Sequence, residues 1–298
     1  MTSTARTTQR VRMRDWAVFW TKVGRIVGRT VIYLILLAGA YIFILPFVWM
    51  VSTSLKPEAL AYQVPIQWIP KPSDITIRAY IEGWKILPFP LFYRNTIIIT
   101  LANIVGLVLS SSLVAFAFAR IRFAGRDVWF LILLATMMLP AQVTLIPIYL
   151  FWSRVKLVNT FWPLIIPEWL TNAYNVFLLR QFFMTIPLDY DDAARIDGAG
   201  WFRIYSQIIM PMSKPALGVI AIQAFSWNWN NFLGPLIYLN ETPKFTIAIG
   251  LRLFQTQQSQ KMPETMAMSV VALIPVLIVF FIAQRYFIQG IVITGVKG

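Results

Sequence analysis

The chain has 298 residues, of which 58% are hydrophobic and 13% charged, with a mean hydropathy of +0.66 and a formal net charge of +14. Soluble domains carry about 25% charged residues, so the bilayer is the main solvent here, and the expected class is an all-α polytopic membrane protein. With no cysteine and no histidine, disulfides, thiol nucleophiles, imidazole bases and Cys or His metal sites are excluded.

Residues 1–29 form a basic, amphipathic segment. Arg6, Arg10, Arg12, Arg14, Lys22, Arg25 and Arg29 face Asp15 alone, and Trp16, Phe19, Trp20 and Ile26 interleave with them. The positive-inside rule puts this end in the cytoplasm, and the pattern suits a helix lying at the lipid interface. The excess Lys and Arg flank apolar runs rather than forming a basic soluble domain, so nucleic acid is not an expected partner, whereas membrane lipid is.

A spanning helix needs about 20 apolar residues. Charge-free windows run over 30–55, 95–119, 128–153, 215–240 and 265–284, and a sixth over 161–179 is interrupted only by Glu168. Six spans place both termini on the cytoplasmic side and make 30–298 one transmembrane domain. The outer segment at 56–94 is Pro-rich, and a second at 241–264 contains Phe254-Gln255-Thr256-Gln257. The inner loop at 120–127 is too short to dock deeply into anything.

The most informative stretch lies between spans 4 and 5, at about 187–215. It reads Asp189-Tyr190-Asp191-Asp192-Ala193-Ala194-Arg195-Ile196-Asp197-Gly198-Ala199-Gly200, with Pro211 and Pro215 after it. Pro187 stops the preceding span. Carboxylates at Asp189, Asp191 and Asp192 suit the positive end of a short helix, and Gly198 ends or bends it. Such a helix, exposed and held between two spans, can be pushed and can move those spans. Without a phosphate loop (the dipeptide Gly-Lys is absent) a nucleotide must be bound by another subunit.

The spacing Asp192-Ala193-Ala194, Gly198, Ile208, Met210, Pro211 resembles the cytoplasmic coupling segment, the EAA loop, of permease subunits in binding-protein-dependent ABC importers. Tyr93-Arg94-Asn95-Thr96, the run from Phe177 to Phe183 and the run from Phe225 to Phe232 extend the likeness to the carbohydrate-uptake, MalG-like branch. One departure is Asp192, where the family usually has Glu, one methylene longer. The resemblance implies a transport subunit rather than an enzyme, in the inner membrane of a prokaryote, moving a sugar by alternating access. It implies a second homologous permease, in a heterodimer, and two ATPase subunits that hold ATP and Mg; this chain itself binds no cofactor or metal. It also implies an extracytoplasmic solute-binding protein. Asp189, Asp191, Asp192, Ala193, Ala194, Asp197, Gly198, Ala199 and Pro211 would then couple to the ATPase. Phe254, Gln255, Thr256 and Gln257 would touch the binding protein, and the tail from Thr294 to Gly298 would reach the ATPase interface.

Polar side chains in a bilayer face a cavity or another helix. Glu168, Asn172 and Asn175 share one helical face, and Gln223, Trp227, Asn230 and Asn231 do much the same in the fifth span. Amides that donate and accept, beside a flat Trp face, suit a sugar; equally, they tie helices together. The same machinery carrying a polyol, glycerol phosphate, peptide or amino acid is the nearest alternative. An ion-coupled transporter would need buried titratable groups near the midplane, where Glu168 stands alone. An Asp-rich diphosphate site would need a second acidic pair, which the chain lacks.

Overall fold

The computed structural model describes residues 3–257 and 261–295, with only the helical backbone described for 3–22, 257 and 285–295. The helices are α1 (Ser3–Ser54), α2 (Arg78–Ile86), α3 (Phe89–Arg120), α4 (Arg126–Ala135), α5 (Ala141–Arg154), α6 (Trp162–Trp169) and α7 (Ala173–Thr185). They continue with α8 (Asp189–Ile196), α9 (Trp201–Met212, with a π turn at Tyr205–Ile209), α10 (Lys214–Trp229), α11 (Leu233–Tyr238), α12 (Ile247–Gln257) and α13 (Met262–Gly295). No strand occurs among the described residues. The chain is thus an all-α polytopic membrane protein.

α3 is the central post. Its 32 residues, roughly 48 Å at the α-helical rise, pack on α6, α7 and α10. Lipid is as apolar as Leu, so helices associate in it through close packing and polar ties. α3 supplies both. Asn95 donates to the carbonyls of Pro243 and Phe245, and the Thr96 hydroxyl accepts from the Ile247 amide at 2.9 Å. Asn103 donates to Leu164 O at 2.9 Å and to the Asn228 amide oxygen at 2.5 Å. Ser112 meets the Tyr205 hydroxyl at 2.7 Å. Gly106 lies flat against Trp169, where a Cβ would sit 2.3 Å from the indole.

Two cores flank the post. At the Arg120 end, Phe116, Leu179, Phe183, Ile204, Ile209 and Ile220 interlock. At the Phe89 end, Phe89, Phe92, Trp229, Phe254 and Met268 do so, and Trp229 donates its indole N–H to Ala272 O. α1 packs on α13 and buries its end at Ser52–Ser54, but none of the most apolar window of its Val23–Ser54 stretch is buried. That surface suits lipid or another subunit.

The six expected windows map unevenly. Among the described residues, three helices are long and apolar enough to cross a membrane, Val23–Ser54, Phe89–Arg120 and Met262–Gln284, or up to five if each of two bent pairs is one span. The window at 128–153 is such a pair, α4 and α5, turned by 96° at Pro140. The window at 215–240 begins within a second pair, α9 and α10, turned by 79° at Ser213, and is broken again before α11. The window at 161–179 is two short helices. α6 stops at Trp169, Thr171 takes φ +76°, and Asn172 caps α7 by accepting from the amides of Tyr174 and Asn175. Hydropathy averages over such breaks because the side chains across them stay apolar. No break marks residue 29, since α1 runs unbroken through it. The side chains of the amphipathic N-terminal tail, Gln258 to Gln260 and Val296 to Gly298 lie outside the described residues.

Candidate functional site

The acidic turn forms as its sequence requires. α8 opens with Asp189, Asp191 and Asp192 in its first turn, where negative charge suits the positive end of the helix dipole, although no carboxylate makes a capping hydrogen bond. It closes at Gly198, whose φ of +79° is a conformation glycine adopts without strain. The amide of Gly198 donates to Arg195 O, and that of Ala199 to Ala194 O, which satisfies the last carbonyls.

The three carboxylates differ sharply. Asp191 is buried, its side chain 4% exposed, and pairs with the Arg120 guanidinium at 3.5 Å. Arg120 also donates from Nη2 to Phe183 O at 2.8 Å and Ile186 O at 2.7 Å. One cation at the end of α3 therefore clasps the last carbonyls of α7 and the first turn of α8. Burial pushes the Asp191 carboxyl above its ordinary pKa, against the pull of Arg120 and Arg195. Ala194 is buried below it, against the Arg120-end core, and Ala199 is half-buried. Asp189, Asp192, Ala193, Asp197, Gly198 and Pro211 are exposed. Tyr190, Ile196 and Phe202 lie exposed among them, Ile196 at 87%. Arg195 lies over the Trp201 ring at 4.0 Å.

The turn thus presents acidic groups around an apolar ridge, on a base that Arg120 fixes. Sequence reading missed Arg120 and the ridge. The available signal was a lone Arg closing an apolar window, in a loop otherwise set aside as too short to act.

A second feature lies within the helices, a cavity of about 250 Å³. Glu168, Asn172, Asn175, Gln223 and Trp227 all line it, although Thr171 breaks the helix on which the first three were expected to align. Tyr174 and Asn228 join them. Asn175 is 5% exposed and its amide oxygen has no partner among the described residues. Asn230 and Asn231 are not in this set. Asn230 donates to Ser226 O, and the Asn231 oxygen accepts from the Gly234 amide, so these two amides shape the break between α10 and α11. Of the outer residues, Phe254 is fully buried in the core near Phe89, so it is closed to any partner. Gln255 and Thr256 are exposed, and for Gln257 only the backbone is described.

Bent apolar helices around a polar cavity, with an acidic turn tied down by Arg120 at one end, suit a membrane permease. Residues 106–293 match the model of the binding-protein-dependent transport system inner membrane component family. The chain belongs to that family, and it is the permease component of an ABC importer, in which the ATPase is a separate subunit. It is 33% identical over 255 residues to a putative ABC transporter permease, ORF2, of Caldicellulosiruptor sp., covering 85% of this chain and 91% of that one. It is 32% identical over 260 residues to the arabinooligosaccharides transport system permease protein AraQ of Halalkalibacterium halodurans, covering 87% and 93%. It is 30% identical over 267 residues to the sn-glycerol-3-phosphate transport system permease protein UgpE of Yersinia pestis, covering 87% and 94%. A chain in the crystal structure of a bacterial ABC transporter that imports the acidic polysaccharide alginate matches with a TM-score of 0.79 and 27% identity, over 88% of this chain and 97% of that one.

Proposed function

We propose that the chain is one half of the pathway of an ATP-driven importer that moves a sugar or oligosaccharide across the cytoplasmic membrane of a prokaryote. It crosses six times, with α6 and α7 forming one broken span and both termini in the cytoplasm. A second, homologous permease completes the pathway as a heterodimer. Two ATPase subunits, which hold ATP and Mg, grip the acidic turn from below, and an extracytoplasmic binding protein delivers the solute.

The observation that carries this reading is the clasp beneath the turn. An ATPase shifts a conformational equilibrium only by holding the permease differently in its two states. The part held must be exposed, and it must be stiffly joined to the helices that move. Asp192, Tyr190 and Ile196 are exposed, while Arg120 and Asp191 join α8 to the ends of α3 and α7. Above it, a cavity with three amide side chains from Asn172, Asn175 and Gln223 beside Trp227 suits a ring with hydroxyls on its rim and C–H groups on its faces. AraQ and the alginate importer, by their names, handle sugars. A phosphorylated solute like that of UgpE fits this half less well, because the lining holds Glu168 and no Lys or Arg.

The test is Asp192→Lys in the assembled transporter. Binding-protein-stimulated ATP hydrolysis and uptake should both collapse while the complex still assembles. Wild-type rates in that variant would overturn the coupling role. Asn172→Ala and Gln223→Ala should weaken or broaden sugar selectivity; unchanged selectivity would leave these amides a packing role alone.

A further inference from the structure

At the far end of α3 from the acidic turn lies a larger cavity, of about 430 Å³, that no step above uses. Lys56, Glu58, Asp74, Arg78, Glu82 and Glu264 line it. The whole chain has only twelve acidic residues against 26 basic ones, yet four of the twelve open here. They come from distant segments, the outer stretch after α1 and the start of α13, and the fold brings them together.

Of the cations at the cavity, Arg78 is paired with a carboxylate, Glu82, at 2.6 Å. The buried Lys56 meets only a backbone carbonyl, Gln67 O, and Lys261 lies near Glu264 and Glu82. Glu264 is different. It is 6% exposed, and its Oε2 has no hydrogen-bond partner among the described residues. A buried carboxylate oxygen without a donor is costly, and such groups are normally paired. Glu58, exposed, and Asp74, half-buried, stand at the same opening and make no ion pair among the described residues. Four carboxylates here face Lys56, Arg78 and the nearby Lys261, so the site keeps an excess of negative charge, with its most deeply buried part at Glu264.

Two kinds of cation differ in fit. A bare metal ion needs several carboxylates within one coordination sphere, and no group of three or more acidic side chains among the described residues is placed to hold one. An ammonium or guanidinium on a long apolar stem suits the space better. Its head reaches Glu264 while its stem lies along Pro57, Ile75 and Pro263, which also line the cavity.

We propose that this cavity is a socket for a Lys or Arg side chain of the extracytoplasmic solute-binding protein. The proposal rests on the importer reading, which puts this end outside because the acidic turn, at the other end of α3, faces the cytoplasm. Charge complementarity argues for the occupant. The densest basic stretch, the N-terminal tail, lies on the cytoplasmic side in this reading, and on the outer face a concentrated acidic cavity fixes where and in what orientation a basic surface docks.

The experiment uses the whole transporter in lipid nanodiscs with its binding protein, and reads ATP hydrolysis against binding-protein concentration at several salt concentrations. In Glu264→Gln the half-saturating concentration should rise about tenfold, the loss expected for one charge-assisted bond, with the rate at saturation kept. Glu58→Gln with Asp74→Asn, at an exposed and a half-buried position, should raise it less and flatten its salt dependence. If Glu264→Gln fails to assemble, this pair still decides. Wild-type half-saturation and salt dependence in all variants would overturn the socket while leaving the importer reading intact. A wild-type complex that no binding protein stimulates would overturn both. Calcium that raises the melting temperature of wild type but not of Glu264→Gln would assign the cavity to a metal and overturn the socket.

Discussion

The two ends of α3 each bury a carboxylate with one oxygen that has no hydrogen-bond partner among the described residues, and they differ in whether a buried guanidinium faces it. At one end Asp191 faces Arg120, which also satisfies two helix-end carbonyls. At the other, Glu264 has a buried oxygen with no donor, although Lys56 and Arg78 line the same cavity. Burial of a charge is costly in both cases. Where the partner is internal, the charge is structural: it ties α3, α7 and α8 together. Where no buried guanidinium faces it, the proposed socket would take a cation from outside. Similar chemistry thus gives a joint at one end and, in the proposal above, a docking point at the other.

The largest effect should come from the joint. Arg120→Met leaves Asp191 buried without its cation and removes the donor from Phe183 O and Ile186 O. Loss of one partner of a buried pair costs about 3–5 kcal/mol, which thermal unfolding of the purified protein should register. Adding Asp191→Leu removes the stranded charge and should restore part of the loss. Equal loss in the single and double variants would show that the ion pair is not what holds the joint.

The Phe89 end should depend on packing instead. A Cβ on Gly250 would lie 2.3 Å from the ring of Phe92, which is fully buried and cannot easily yield. Gly250→Ala should therefore cost about 1–3 kcal/mol, as overpacking typically does, and should leave ATPase coupling at the other end unchanged. At the acidic turn, Gly198 meets nothing within 4 Å where a Cβ would go, so only its φ of +79° opposes substitution. Gly198→Ala should cost about 1 kcal/mol through backbone strain. A loss as large as that of Gly250→Ala would mean the turn is packed more tightly than its open surroundings indicate.

The turn was legible in the sequence because everything that forms it is local: the Asp-led first turn, the small alanines and the closing glycine. Its anchor was not, since Arg120 and Asp191 lie far apart in sequence and meet only through the packing of α3 on α7. The cavity set of Glu168, Asn172 and Asn175 was found by assuming a continuous helix. The structure breaks that helix at Thr171 and still directs all three to one space. Asn230 and Asn231 failed the same assumption, because α10 ends at Trp229 and helical periodicity stops there. The sequence places Phe254 in an outer segment between two charge-free windows, and the resemblance puts it against the binding protein. It instead lies on α12, whose buried face turns Phe254 inward and leaves Gln255 and Thr256 outside. The acidic cavity was invisible to any local reading, since its members come from both ends of the chain.

A smaller effect separates the two terms acting on Asp191. Burial raises its pKa, and Arg120 and Arg195 lower it, with burial the larger. The folded protein therefore keeps this proton to a higher pH than the unfolded chain does. Between the ordinary carboxylate range and the raised value the folded state binds more protons, so stability falls as pH rises through that window and levels off above it. Melting temperature followed upward from the ordinary carboxylate range should show this decline in wild type and lose it in Asp191→Asn, which cannot ionise. Stability that rises across the same window, and flattens in the variant, would mean that Arg120 dominates. The joint would then be a net electrostatic attraction, rather than a charge kept buried because α7 and α8 need a common anchor.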